Sequence, residues 1–437
     1  MSTSKWITAL ALGSALVVSG CATGSVGTKA IQVSSGGTLN FEAFQPFSGP
    51  DADFGPEMLT TCKSTILAIN RAGGILGHKT ACGGVDTHGD PADAVTAAQQ
   101  MIATTPNLVG ILGPSSDEAL ATAPILNQAH IPMFADTGQA AFDHTQLHYF
   151  WRVTPADDVK GDAMAIWAHE HGFTKGAVLF GNDLASQSNV PTLVKGFEAE
   201  GGHIVSTLNI ALDQVSYRTE IENMLASNPQ FIFTETDPPT AATFFTEMLQ
   251  LNHQKLLPII GTEQSLQANF LQAVSQAIGV PTLKKYLVGV QPYAPTSGAS
   301  WKVFKQVIFA GKGATHANLE VYSTDPFAMS YYDSVVTMAL AMEAAKSVSP
   351  AKYNSFIKTV TEPGKGKLEV HSFAQGEKAL EAGHKIRFVG STGIIAFDAS
   401  GNSTGGFEVA GYRSPGNIRI DGVVSAAAIA ALIARKG

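Results

Sequence analysis

Two hydrophobic periods alternate along the chain, and their order sets the architecture. Short apolar runs bounded by Gly, Pro, Asn or Asp read as buried strands. Longer segments with apolar residues every three or four positions read as amphipathic helices. The first unit shows both. Leu39–Phe44 is a strand, and beyond a Pro/Gly/Ser turn Met58, Cys62, Ile66 and Ile69 line one face of a long helix. Asn70 to Gly74 (NRAGG) stops that helix, because glycine tolerates the left-handed geometry of a helix end.

The same alternation continues. Strands are expected at Ala81–Val85, Leu108–Leu112 and Pro132–Ala135, with helices at Glu57–Asn70, Ala92–Ala103 and Asp117–Gln128. A second series begins after Thr154. Its helices are Lys160–His171, Val190–Glu200, Tyr217–Ser227 and Thr240–Leu251, and its strands are Ala177–Phe180, His203–Asn209, Phe231–Thr234 and Leu257–Ile260. Repeated strand–helix units predict an α/β protein with parallel sheets covered on both faces. Two series predict two lobes with a cleft between them. Ligands of open α/β sheets bind outside the carboxyl ends of the strands, so the Ser48 to Gly55 loop, with Phe54, is where one should sit.

Composition adds bounds. A hydrophobic fraction of 45% in 437 residues supports large cores in two or three domains. A net charge of -8 with no dense basic run argues against a nucleic-acid partner. Lys5 followed by the apolar run Trp6 to Val18 reads as a secretory signal, too short for a span of about 20 residues. It ends Val18-Ser19-Gly20-Cys21, which looks like a bacterial lipoprotein processing site. Residues 1–20 are therefore expected to be a signal peptide and Cys21 a lipidated N-terminus; an ordinary cleaved signal is the alternative. Residues 21–36, rich in Gly, Ser and Thr, are expected to be a flexible tether. Two cysteines remain. Cys62 lies on the buried helix face and Cys82 in the next strand, and an exported protein meets oxidising conditions. A Cys62–Cys82 disulfide is expected, with two buried thiols as the alternative.

Six segments carry a family resemblance: SGPDADFG (Ser48 to Gly55), INRAGGILG (Ile69 to Gly77), GDPADAV (Gly89 to Val95), GPSS (Gly113 to Ser116), WRVTPADD (Trp151 to Asp158) and FDASGNSTGGFEV (Phe397 to Val409). In that order they resemble the extracytoplasmic solute-binding receptors of ABC importers, of the leucine/isoleucine/valine-binding type. The resemblance implies the type I periplasmic-binding-protein fold: two Rossmann-like lobes joined by a hinge of three crossovers, near residues 153–157, 283–290 and 388–396. Residues 37–155 with 286–388 would make lobe one, and 156–285 with 389–437 lobe two.

It also implies a site. Ser116, with Ser115 beside it, maps to the family's carboxylate-binding serine, and a helix N-terminus suits an anion; a plain N-cap serine is the other reading. Thr137, Gly138 and Gln139 occupy the place of the segment that holds an α-carboxylate and amine. Glu263, in Gly261-Thr262-Glu263, matches the glutamate that accepts from a ligand ammonium, a strong charge-assisted contact. Phe54 is a lobe-one wall or a core aromatic. Two family tyrosines fall on Ala185 and on Thr236, beside Asp237, which implies a roomier and more acidic cleft than a leucine receptor has.

Other patterns fail on geometry. GGILGHKT (Gly73 to Thr80) lacks the GK[ST] of a P-loop, and His169 and His171 are two apart, where HExxH needs i, i+4. No GxSxG occurs. The expectation is a monomeric, lipid-anchored, extracytoplasmic receptor and not an enzyme, using no metal or organic cofactor. Its partners would be a small polar solute, an amino acid or relative, and a membrane ABC permease. A sensing lipoprotein of the same fold, without transport, is the alternative.

Overall fold

The computed structural model describes residues 36–49, 51–312, 318–403, 405–414 and 417–436. The expected signal peptide, Cys21 and all of the expected tether but Gly36 lie outside these residues.

The first sheet is entirely parallel. It is built from β1 (Leu39–Gln45), β2 (Thr80–Asp86), β3 (Leu108–Leu112), β4 (Met133–Ala135) and β5 (Phe150–Arg152), in the order β2-β1-β3-β4-β5. The strands are connected by α1 (Phe54–Ala72), α2 (Pro91–Thr104) and α3 (Ser116–Gln128). The α1 face carrying Met58, Cys62, Ile66 and Ile69 is buried against β1, as the three- and four-residue spacing demands. Asp90 caps α2 by accepting from the backbone N–H groups of Ala92 and Asp93, and Pro91 follows it at the first helical position. Cys62 on α1 and Cys82 on β2 are joined by a disulfide, the first of the two expected alternatives.

The second sheet has seven strands. Its parallel part contains β6 (Lys175–Gly181), β7 (His203–Ile210), β8 (Phe231–Glu235), β9 (Ile259–Thr262) and β10 (Leu287–Pro292). The small third sheet comprises β11 (Lys367–Val370), β12 (Lys385–Gly390) and β13 (Gly393–Ile394). An antiparallel pair, β14 (Phe407–Ser414) and β15 (Asn417–Val424), then extends the second sheet, whose order is β15-β14-β10-β9-β8-β6-β7. The helices here are α4 (Asp157–Glu170), α5 (Leu184–Ala199), α6 (Arg218–Ala226), α7 (Pro238–Leu251), α8 (Ala268–Ile278) and α9 (Val280–Tyr286). After β10 the chain returns to the first lobe through α10 (Gly298–Ala310), α11 (Leu319–Tyr322) and α12 (Pro326–Ala345), which pack on α1 and β1 in one core.

The α/β class and the two Rossmann-like lobes agree with expectation, whereas three boundaries move. The second crossover, expected near 283–290 with lobe one from residue 286, comes after Pro292, because β10 pairs with β9 and β14. The third, expected near 388–396 with lobe two from residue 389, comes later, because β12 and β13 still pair with each other there and the second sheet resumes at Phe407. Helix α5 starts at Leu184, six residues before the expected Val190, because Asp183 caps it through the Ser186 N–H and Pro191 sits inside it.

The crossovers are stitched together. Arg152 N–H donates to the Gly401 carbonyl at 2.8 Å, Ser403 N–H to the Arg152 carbonyl at 3.0 Å, and Tyr293 N–H to the Gly406 carbonyl at 2.9 Å. Asp333, buried on α12, accepts from Ser391 and Thr392 with both oxygens, which holds the third connection against lobe one.

Candidate functional site

The carboxyl ends of both sheets face one cavity of about 60 Å³, large enough for several water molecules. From lobe one, the turn after β1 supplies Asp51 and Phe54. The turn is shaped by Asp86, which accepts from Phe47 N–H and Ser48 Oγ, both at 2.9 Å. Gly49 takes a φ of 89° in it, and a Cβ there would collide with the His88 carbonyl. Phe54 meets Phe327 of α12 edge to face at 5.4 Å, and both line the cavity. The end of β3 supplies Ser115 and Ser116, and the end of β4 supplies Asp136 and Gly138.

From lobe two come Asp157 and Lys160 at the start of α4, Ala185 on α5, Glu235 ending β8, Glu263 and Gln264 after β9, with Pro292 and Phe407. The lobes touch directly. Ala185 N–H donates to Asp117 Oδ1 at 3.0 Å, Asp157 N–H to the Gly138 carbonyl at 2.7 Å, and Asn269 N–H to Asp53 Oδ2 at 3.3 Å.

Of the residues singled out in the sequence, Phe54, Ser115, Ser116, Gly138, Ala185 and Glu263 line the cavity. Four do not. Thr137 is fully buried, and its hydroxyl pairs with Ser116 Oγ at 3.3 Å. Gln139 is buried and offers its carbonyl to Arg152 Nη1 at 3.2 Å. Thr236 is buried off the cavity, and Asp237 opens instead onto a separate surface pocket with Asp213 and Pro238. The N-cap position of α3 belongs to Ser115, whose side chain makes no capping hydrogen bond, and Ser116 is the first helical residue.

Lys160, which is not among the residues expected at the site, dominates the electrostatics. Its Nζ lies 2.6 Å from Glu263 Oε1 and 3.1 Å from Asp157 Oδ1. Burial alone would lower its pKa, but Asp157, Glu263 and Glu235 more than offset that and hold it above the ordinary lysine value. The carboxylates answer oppositely. Burial, reinforced by Asp117, Asp183, Glu118 and Asp136, pushes Asp51 well above the usual range. Burial pushes Asp136 up to about 6, although Gln45 Nε2 and Tyr331 OH each donate to it at 2.9 Å. Burial and the nearby Asp183 push Asp117 up to about 7. Glu235 is held well above the usual range by burial against the pull of Lys160. The carboxylates of the cavity are those of Asp51, Asp136, Asp157, Glu235 and Glu263, and Asp237 is not among them.

Asp51 and Asp136 sit inside segments whose neighbours were singled out, and the Asp157–Lys160 spacing at a helix start was a usable signal. Phe327 comes from a distant element and left none, whereas Phe407 lies inside the Phe397 to Val409 motif. Among the described residues, no group of three or more His, Cys, Asp or Glu side chains could hold a metal ion, and no helix is long and apolar enough to cross a membrane.

Two α/β lobes that touch across a polar cavity, joined by three crossing segments, define a two-lobed solute-binding protein. The chain matches the periplasmic binding protein family over residues 43–388 and belongs to it. No curated protein matches it in sequence. Among solved structures, the leucine-binding protein LivK of Thermotoga maritima superposes with a TM-score of 0.71 at 18% identity, covering 89% of this chain and 99% of that one. LivJ of Streptococcus pneumoniae, in complex with isoleucine, gives 0.69 at 17%, covering 89% and 99%. A solute-binding protein of an ABC transporter from R. palustris, in complex with benzoate, gives 0.69 at 16%, covering 89% and 96%. These similarities carry the fold.

Proposed function

We propose that the chain is the solute-capturing receptor of an ABC importer, working outside the cytoplasm as a monomer tethered through a lipid on Cys21. The observation that supports this reading is the cavity lined from both lobes at the strand ends. A solute seated there touches Phe54, Ser116 and Gly138 on one side and Ala185 and Glu263 on the other. It thereby stabilises the shut arrangement over an open one by its differential contacts, and the permease recognises the shut form. The neighbours solved with isoleucine and with benzoate support a small polar solute.

A thermal-shift screen of amino acids, amides, amines and organic acids tests it. A ligand at about 100 times its dissociation constant adds about 2.7 kcal/mol, which raises the melting temperature measurably. Small-angle scattering should report a more compact particle with the same compound. A screen in which no small solute shifts the melting curve removes the proposal. Substituting Cys21→Ala should release the protein from membranes, and retention there counts against the anchor.

A further inference from the structure

Building on the receptor reading above, we infer that the cleft takes a small organic cation: an amine, amidine or guanidine that carries no carboxylate. Five carboxylates line the cavity, those of Asp51, Asp136, Asp157, Glu235 and Glu263, and Lys160 is the one cation among the described lining residues. Lys160 is already committed, at 3.1 Å from Asp157 and 2.6 Å from Glu263. Glu235 is only 8% exposed, yet it borders the cavity. Asn189 Nδ2 donates to its Oε2 at 3.0 Å, and among the described residues no donor reaches its other oxygen. Among the same residues, Glu263 Oε2 is buried and has no partner either. An ammonium, amidinium or guanidinium supplies what these oxygens lack, positive charge and several N–H donors.

Among the described lining residues, a ligand carboxylate finds no cation that is not already paired. The α3 N-terminus that would serve it carries Asp117 and Glu118 in its first turn, and Asp51 and Asp136 border the same space. The Ser116 hydroxyl is already turned to Thr137. The glutamate expected to meet a ligand ammonium meets an internal one instead, so a zwitterion would gain little at one end and be repelled at the other. Burial, with Asp117, Asp183, Glu118 and Asp136 adding, keeps Asp51 protonated to higher pH. Burial, with Glu263, Asp183 and Asp157 adding and Lys160 opposing, does the same for Glu235. A cation arriving between them favours the ionised forms and so expels protons.

Calorimetric titration of the purified protein with agmatine, putrescine and benzamidine, and separately with leucine and 4-hydroxybenzoate, decides the matter. The expected result is binding of at least one of the three amines or amidines. Its apparent enthalpy should differ between Tris and phosphate buffers because protons are released. Glu235→Gln should weaken that binding about 10- to 100-fold, the loss of a charge-assisted hydrogen bond. Should that variant not fold, Glu263→Gln makes the same test from the other oxygen. Binding of leucine or 4-hydroxybenzoate with none of the three cations overturns the inference and leaves the receptor intact. Silence of all five probes also overturns it, and the broader screen then judges the receptor reading separately.

Discussion

Lys160 is the residue on which the site's internal order turns. Its side chain is 7% exposed and those of its partners Asp157 and Glu263 are 4% and 15% exposed, so all three are largely withdrawn from water. Removing one member of such a group leaves uncompensated buried charge, which costs about 3–5 kcal/mol, whereas removing charge from both sides costs much less. Lys160→Met should therefore lower the urea-unfolding free energy by about that amount, and adding Glu263→Gln should recover part of it. A double variant as unstable as the sum of its parts would contradict the pairing. Cys62 offers a second residue-scale test. Its bridge to Cys82 closes a separation of 20 residues, and Cys62→Ala should cost about 3 kcal/mol in the chain-entropy model. Two reactive thiols in the denatured, unreduced protein would show the bridge absent.

At the scale of elements, the legible features were those that one helix or strand encodes alone. The period of Met58, Cys62, Ile66 and Ile69 fixes the buried face of α1 without reference to anything else, and strand-end loops point to Phe54, Ser116 and Glu263. Illegible features needed two elements at once. Pro191 looks like a helix start, yet it lies inside α5 because Asp183, well before the expected start at Val190, supplies the cap. Asp51 and Asp136 read locally as turn residues; only the meeting of two lobes gathers them with Glu235. Strand β10 looks equally at home in either lobe until its partners β9 and β14 are known. Gly138 is such a two-element position. It follows β4, its carbonyl receives Asp157 N–H of α4, and a Cβ on it would run into the Asp157 carboxylate. Gly138→Ala should thus push α4 away and cost about 1–3 kcal/mol of stability, as overpacking does, while also weakening solute binding. Unchanged melting temperature and affinity would mean that the lobes do not close at this point.

For the whole molecule, the crowding of carboxylates at the lobe boundary makes stability depend on pH in an unusual direction. Asp117 and Asp136 have an ordinary value of 3.8 and are pushed up to about 7 and about 6 in the folded chain, in each case first by burial. Asp51, Glu118 and Glu235 shift the same way. Between about pH 4 and about pH 7 the folded chain then holds protons that the unfolded chain has released. Stability from these groups is complete below the unfolded values and drains away as pH rises through the folded ones. The melting temperature should fall by about 3–6 °C from about pH 5 to about pH 7.5. Asp117→Asn should flatten that slope, since an amide has no charge to bury, and a melting temperature that climbs over this window would refute the crowding. Occupancy by an amine should reverse the trend. A cation between Asp51 and Glu235 stabilises their ionised forms, so the complex should gain stability with pH where the uncomplexed chain loses it, and the two melting curves should diverge toward neutrality.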